Sequence, residues 1–304
     1  MLRKKFENDI KNELYRVSQN SRFRISQKKD LYRTLLDFLS IRKKTIKSLK
    51  REVKFNPELI KELILSPDKE KTKAIKHISN VAAQGGNLNI FQSPKIKQTN
   101  FFDHFSNEWN IFHFHLSNKI NPKTGFVKQG NTILFTYIND DTIIFLGTDK
   151  HRIGVFAEKK WLNIVYDHFE YILKPYESKG TQDVYPDIEG QALQTMWDKG
   201  YSPFMRKIRD KVYIGPGLGR TTSGHSLVVV QEANKIMRWL NTIIKQIEES
   251  RIEVSQYLKI DNENLALRII IGEKGFELIE ENINLKLLSY PEQLVSKDEL
   301  RKMY

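Results

Sequence analysis

The segment 110–117, "NIFHFHLS", sets His113 and His115 two residues apart between Phe112, Phe114 and Leu116. On an extended chain alternate side chains point to opposite faces, so both imidazoles share one face and the three apolar groups share the other. A third histidine, His151, is followed by Arg152 at the end of a later apolar run, "DTIIFLGTDKHR". Imidazole titrates near neutral pH, so such a set can take a proton from a ribose 2′-hydroxyl and return one to the leaving oxygen. Arg152, or Lys150 beside it, would then meet the charge of the phosphorane. This chemistry needs neither metal nor cofactor. The same His113, His115 and His151, joined by Asp149, also admit a metal site, because an H-x-H pair plus a third imidazole can present three nitrogens to zinc or iron. A third reading leaves all of them structural. His104, in "FFDHFSNEW", and His168, in "YDHFEY", sit among aromatic residues and are read as packing groups.

A second set of polar residues lies in "GPGLGRTTSGHS". The spacing of Gly215, Gly217 and Gly219 fits neither a P-loop nor a dinucleotide fingerprint. Gly217, Gly219, Arg220, Thr221, Thr222, Ser223 and His225 would still supply backbone N–H groups, hydroxyls and a guanidinium for an anion. The alternative is a plain surface loop.

Charge divides the chain unevenly. Residues 1–100 hold 24 Lys and Arg against 10 Asp and Glu, whereas the remainder holds 26 against 27, so the net +13 resides in the first third. A basic segment on a neutral body suggests a polyphosphate partner, RNA more than DNA. Arg16, Arg22, Arg24, Arg33, Lys43, Lys44 and Lys47 are the expected contacts, with Tyr15, Phe23 and Tyr32 interleaved for base stacking. A solvated lysine-rich face or an acidic protein partner, including an inhibitor, would show the same composition.

The elements that must position these groups follow from periodicity. "FENDIKNELYRV" places Phe6, Ile10, Leu14 and Val17 on one helical stripe, and a second stripe runs through Leu31, Leu35, Phe38 and Ile46. "FNPELIKELIL" opens a third helix, with Pro57 in its first turn. "NTILFTYIND" and "DTIIFLGTDKH" are β-branched runs joined by Asn139, Asp140 and Asp141, an antiparallel hairpin, and "EKKWLNIVYDHFEYIL" is a helix to cover it. A later helix, "VVVQEANKIMRWLNTIIKQIEES", precedes a second hairpin, "LALRIII" with "FELIEE". The expected class is α+β in three regions: a basic helical region over 1–95, a small antiparallel sheet domain with the histidine cluster over 96–178, and a C-terminal α/β region with the glycine-rich loop over 179–304. Zero cysteines exclude disulfides and thiolate chemistry. No window is apolar enough to cross a membrane and the start lacks a signal-peptide pattern, so the expected location is cytoplasmic, with no membrane partner.

The run "GFVKQGNTILFTYINDDTIIFLGTDKHR" resembles the core of the RelE/ParE toxin superfamily through Ile133, Leu134, Phe135, Tyr137, Asp140, Asp141, Ile143, Ile144, Leu146, His151 and Arg152. The resemblance covers about 40 of the 304 residues. It implies an mRNA-cleaving toxin or a relative in anti-phage defence. The chain is far longer than such toxins and the H-x-H element is not part of their pattern, so only His151 and Arg152 carry an implied role. The reading that results is an RNA-directed nuclease using His113, His115, His151 and Arg152 without metal. The alternatives are a non-catalytic nucleic-acid-binding or regulatory adaptor, and a His-rich metalloenzyme.

Overall fold

The computed structural model describes residues 2–20, 25–26, 28–65, 68–99, 101–272 and 275–290. In chain order the elements are helices α1 (Leu2–Asn20) and α2 (Leu31–Lys44), strand β1 (Glu52–Phe55), and helices α3 (Pro57–Leu65), α4 (Lys69–Gln84) and α5 (His104–Trp109). Strands β2 (Ile111–His115), β3 (Thr132–Ile138) and β4 (Thr142–Lys150) follow, then helices α6 (Lys160–Phe169) and α7 (Gly190–Asp198) and strands β5 (Met205–Ile208) and β6 (Lys211–Ile214). The long helix α8 (Leu227–Leu258) breaks its helical dihedrals at Ser250 and leads to strands β7 (Leu267–Ile271), β8 (Phe276–Glu280) and β9 (Leu285–Ser289). The class is α+β.

Two compact units replace the three regions that composition suggests. One comprises Met1–Arg42, Lys97–Thr99 and Val229 onward; the other comprises Lys43–Ile96 and Asn100–Val228. The basic region divides because Glu52–Phe55, within an otherwise helical stretch, extends to pair with β4, which commits residues beyond Arg42 to the sheet unit. The boundary expected at 178/179 is absent for a similar reason: Ile208 and Tyr213 of the β5–β6 hairpin belong to the same core as Trp161, Leu162 and Val165 of α6.

The sheet unit is built on four strands in the order β1-β4-β3-β2. β2–β3 and β3–β4 are antiparallel, as the hairpin pattern predicts, but β1 runs parallel to β4, with Val53 opposite Ile143. Asn139 makes the hairpin turn, its Oδ1 accepting from the N–H groups of Asp141 (3.0 Å) and Thr142 (2.6 Å). Strands 3 and 4 lack polar alternation because both faces are covered. Ile133, Phe135, Tyr137, Ile144 and Leu146 pack under α6, whereas Leu134, Ile138, Ile143 and Phe145 join Leu59 of α3 and Ile75, Ile78 and Ala82 of α4. Fully burying a side chain such as Phe135 contributes about 1.5–3 kcal/mol before cavity effects.

The other unit packs the stripe Phe6, Ile10, Leu14 and Val17 with Leu31, Leu35 and Phe38, with Ala233, Ile236, Leu240 and Ile243 of α8, and with β7. Ile46, placed with the second stripe by spacing, lies past the end of α2 and belongs to the sheet unit's core. β7–β8 is the expected second hairpin, extended by β9 to three strands; two of its turn residues, Glu273 and Lys274, lie outside the described residues. The free edge of β7 is capped by carboxylates, since Asp9 accepts from the Ile269 N–H (3.2 Å) and Glu13 from the Ile271 N–H (3.3 Å).

Candidate active site

The short helix α5 and strand β2 build the site together. Asp103 is the N-cap of α5, its Oδ1 accepting from the Ser106 N–H (3.1 Å). The helix ends at Asn110, whose left-handed backbone (φ 55°) turns the chain directly into β2. Across that turn the His113 Nδ1–H donates to the second oxygen of Asp103 at 3.1 Å, with both side chains close to fully buried. Burial pushes the Asp103 carboxyl up, but the bond and charge of His113 and the Ser106 N–H outweigh it and hold the group below its ordinary value. The bond selects the Nδ1–H tautomer of His113 and leaves Nε2 with a lone pair.

The alternation in "FHFHL" holds. Phe112 and Phe114 enter the core under α3 and α4, while His113 and His115 occupy the opposite face with ring centroids 6.0 Å apart. His151 joins them: its backbone N–H bonds Asn131 O (2.6 Å), and its ring lies parallel to that of His115 at 6.2 Å. Phe156 is the common neighbour, 4.6 Å from His113 and 5.3 Å from His151. The turn that delivers it requires Gly154, which has φ +80° and whose missing Cβ would fall 2.8 Å from the Gln191 nitrogen.

The three imidazoles are not equivalent. His115 is 3% exposed and its Nδ1 has no hydrogen-bond partner. Burial, reinforced by the charges of His113 and His151, pushes it down to about 4, so it is neutral at physiological pH and is no general acid there. That corrects its assignment to an acid role. His151 is exposed and held below its ordinary value by partial burial first, then by the charges of His113 and Lys95.

Arg152 also departs from its expected role. Its guanidinium pairs with Glu158 (2.5 Å) and Asp149 (3.5 Å), and Lys160 pairs with the same two carboxylates. Its charge is balanced by that network, and Asp149 is occupied there as well. A cation whose field does reach His151 is Lys95, exposed and without an ion pair among the described residues. Among the described residues no group of three or more His, Asp and Glu side chains is arranged to hold a metal ion.

The glycine-rich loop is packed rather than open. A Cβ on Gly217 would lie 1.9 Å from Asn107 O, and the Gly217 N–H donates to Glu108 O (3.1 Å), so the loop lies against the backbone of α5. Arg220 donates to Gly224 O (2.8 Å) and Trp197 O (3.3 Å) and covers the Phe102 ring at 4.5 Å. Thr221 donates its N–H and hydroxyl to His225 O and shares a hydroxyl contact with Ser223, and the Leu227 N–H bonds Gly219 O. These donors close on the loop itself or on the backbones of α5 and α7, which removes them from the expected anion cradle; Thr222 is exposed.

Of the expected nucleic-acid contacts, Lys44 is buried and donates to Phe101 O (2.8 Å), a structural role that excludes it from phosphate binding. Lys43 is half-buried and its ammonium is pushed down by burial. Lys47 pairs with Asp140 (2.9 Å), Arg16 with Glu13 (2.7 Å) and Arg33 with Asp30 (3.6 Å), the two arginines remaining exposed. Arg22, Phe23 and Arg24 lie outside the described residues. His104 is a packing group as expected, stacked on Trp197 at 4.8 Å, but His168 is exposed. Sequence spacing missed Asp103, Phe156 and Lys95. An Asp, a favoured N-cap residue, directly before "HFSNEW" was the available signal for the first, and nothing pointed to the other two.

Comparison of the chain with protein-family models, with curated proteins and with solved structures finds no match. No helix among the described residues is long and apolar enough to cross a membrane.

Proposed function

We propose that the protein is a metal-independent endoribonuclease whose centre is the Asp103–His113 pair with His151. His113 Nε2 takes the proton of a ribose 2′-hydroxyl; the 2′-oxygen forms a bond to phosphorus, and the P–O5′ bond breaks. His151, at the exposed side of the cluster, returns a proton to the leaving 5′-oxygen, giving a 2′,3′-cyclic phosphate and a free 5′-hydroxyl. Lys95 meets the phosphorane charge in place of the neutralised Arg152. Neutral His115 supports the stack. The carrying observation is the 3.1 Å Asp103–His113 bond on the same face as two further imidazoles. The basic first third and the RelE/ParE-like pattern ending at His151 favour RNA, and with it a cytoplasmic role of the toxin or anti-phage kind.

The test is incubation of the full chain with labelled RNA and with DNA of the same sequence, in chelator, beside His113→Ala. RNA is cut, DNA lacking the 2′-hydroxyl is not, and His113→Ala abolishes cutting while retaining binding. Cutting by His113→Ala at the wild-type rate would overturn the proposal, and binding without cutting in every arm would favour a non-catalytic nucleic-acid-binding protein.

A further inference from the structure

The β5–β6 hairpin carries Arg206 and Ile208 on its inward face, 3% and 0% exposed. None of the three guanidinium nitrogens of Arg206 has a hydrogen-bond partner among the described residues. An enclosed guanidinium without acceptors is costly to maintain, because its hydration is lost and nothing replaces it. The carboxyls around it act on it through space, and none accepts a hydrogen bond from it. Glu108 is the buried carboxyl whose field it feels most; the hydroxyl of Ser202 donates to it, and burial pushes it up to about 8, which leaves it neutral at pH 7. Asp187 and Glu189 add their fields from an earlier segment, Asp187 paired with the Lys159 ammonium and Glu189 keeping its charge while accepting the Lys159 N–H (2.9 Å). Arg220 brings a second guanidinium to the field of Glu108. The indole N–H of Trp197 also faces the Glu108 carboxyl, so that carboxyl collects donors from Trp197 and Ser202 while Arg206 itself is left without an acceptor. What is missing at Arg206 is therefore an acceptor in contact with its fork.

We propose that Arg206, whose three guanidinium nitrogens are buried without a partner among the described residues, is the receptor for one small oxyanion, a carboxylate or a phosphate, gripped by the planar fork of the guanidinium. Entry needs only local opening of the irregular segment 199–204, which reaches Glu108 through Ser202 and exposes Tyr201 and Phe204. This site is separate from the histidine cluster and does not rest on the nuclease reading.

The test titrates the full chain with potassium phosphate and, separately, potassium acetate, at constant ionic strength against chloride, by calorimetry and thermal unfolding. One of the two anions binds saturably at one site and raises Tm; which one identifies the source. Arg206→Met loses the saturable response, and Arg206→Lys, which keeps the charge without the fork, binds about tenfold more weakly. Should Arg206→Met not fold, the Arg206→Lys comparison decides. The proposal is overturned if neither anion exceeds the chloride control, or if the folded variants respond as the wild type does.

Discussion

A histidine serves as a general base only in the tautomer whose lone pair faces the proton to be taken. In His113 the bond to Asp103 imposes that tautomer, and the bond is shielded from water. Asp103→Asn keeps the shape but lets an amide NH₂ face the ring, which favours the opposite tautomer. The expected result is a kcat lower by roughly 10²- to 10⁴-fold with RNA affinity unchanged, read by single-turnover cleavage and equilibrium binding. An unaltered kcat would remove Asp103 from the centre. His115 governs stability instead. Burial holds it at about 4, against the ordinary 6.5 of the unfolded chain. Below pH 6.5 the unfolded state takes up a proton that the folded state refuses, so this contribution is whole above 6.5 and declines as pH falls toward 4. Thermal unfolding between pH 7 and pH 5 should therefore show a larger loss of Tm in wild type than in His115→Gln; parallel losses would place the sensitivity elsewhere. The shared face of His113 and His115 is legible in the sequence because strand alternation dictates it. The partner of each is not, because Asp103 reaches His113 only after a left-handed residue reverses the chain, and Arg152 meets Glu158 only through the turn at Gly154.

At the scale of elements, glycines that look like a phosphate cradle turn out to permit close packing of backbones. Gly217 leaves no room for a methyl group beside Asn107 O, and that contact braces the helix that carries Asp103. Gly217→Ala should destabilise the protein by about 2–4 kcal/mol, through overpacking and displacement of α5, with activity falling in proportion to the folded fraction. Thr222→Ala, on the exposed side of the same loop, should change neither. Equal losses of activity in the two variants without loss of stability would restore the anion-binding reading. Helix stripes and hairpins were readable from period and turn residues, as Phe6 to Val17 and Asn139 illustrate. β1 was not, since four residues in a basic stretch, "EVKF", show no pattern that separates a parallel edge strand from a helix connection. Its pairing with β4 depends on Arg51, a buried cation from the basic third that donates to Asn139 O (2.7 Å) and fastens the segment to the hairpin turn.

Charge is the property that belongs to the whole molecule, and its position along the sequence is not its position in the fold. Residues 1–42 hold 11 Lys and Arg against 5 Asp and Glu, and residues 43–96 hold 12 against 5, yet the two segments fall in different units. A polyanion therefore meets excess positive charge on each. Part of that charge is spent internally, on Glu13, Asp30 and Asp140 and on buried carbonyls. Lys4 and Lys5 on α1 and Lys69 and Lys76 on α4 are exposed and make no ion pair among the described residues. If these cations displace counterions from RNA, each contact adds about 0.7 to the magnitude of the slope of log K against log salt for a single strand. Replacing either pair by Gln should then flatten the slope by about 1.4 and weaken binding several-fold at low salt, with the difference shrinking as salt rises. Binding of a labelled single-stranded RNA across a salt series checks this for both pairs. A response from one pair alone would assign the strand to that unit. No response from either would mean that the basic third contributes solvation and internal pairing, and that RNA affinity resides around the histidine cluster itself.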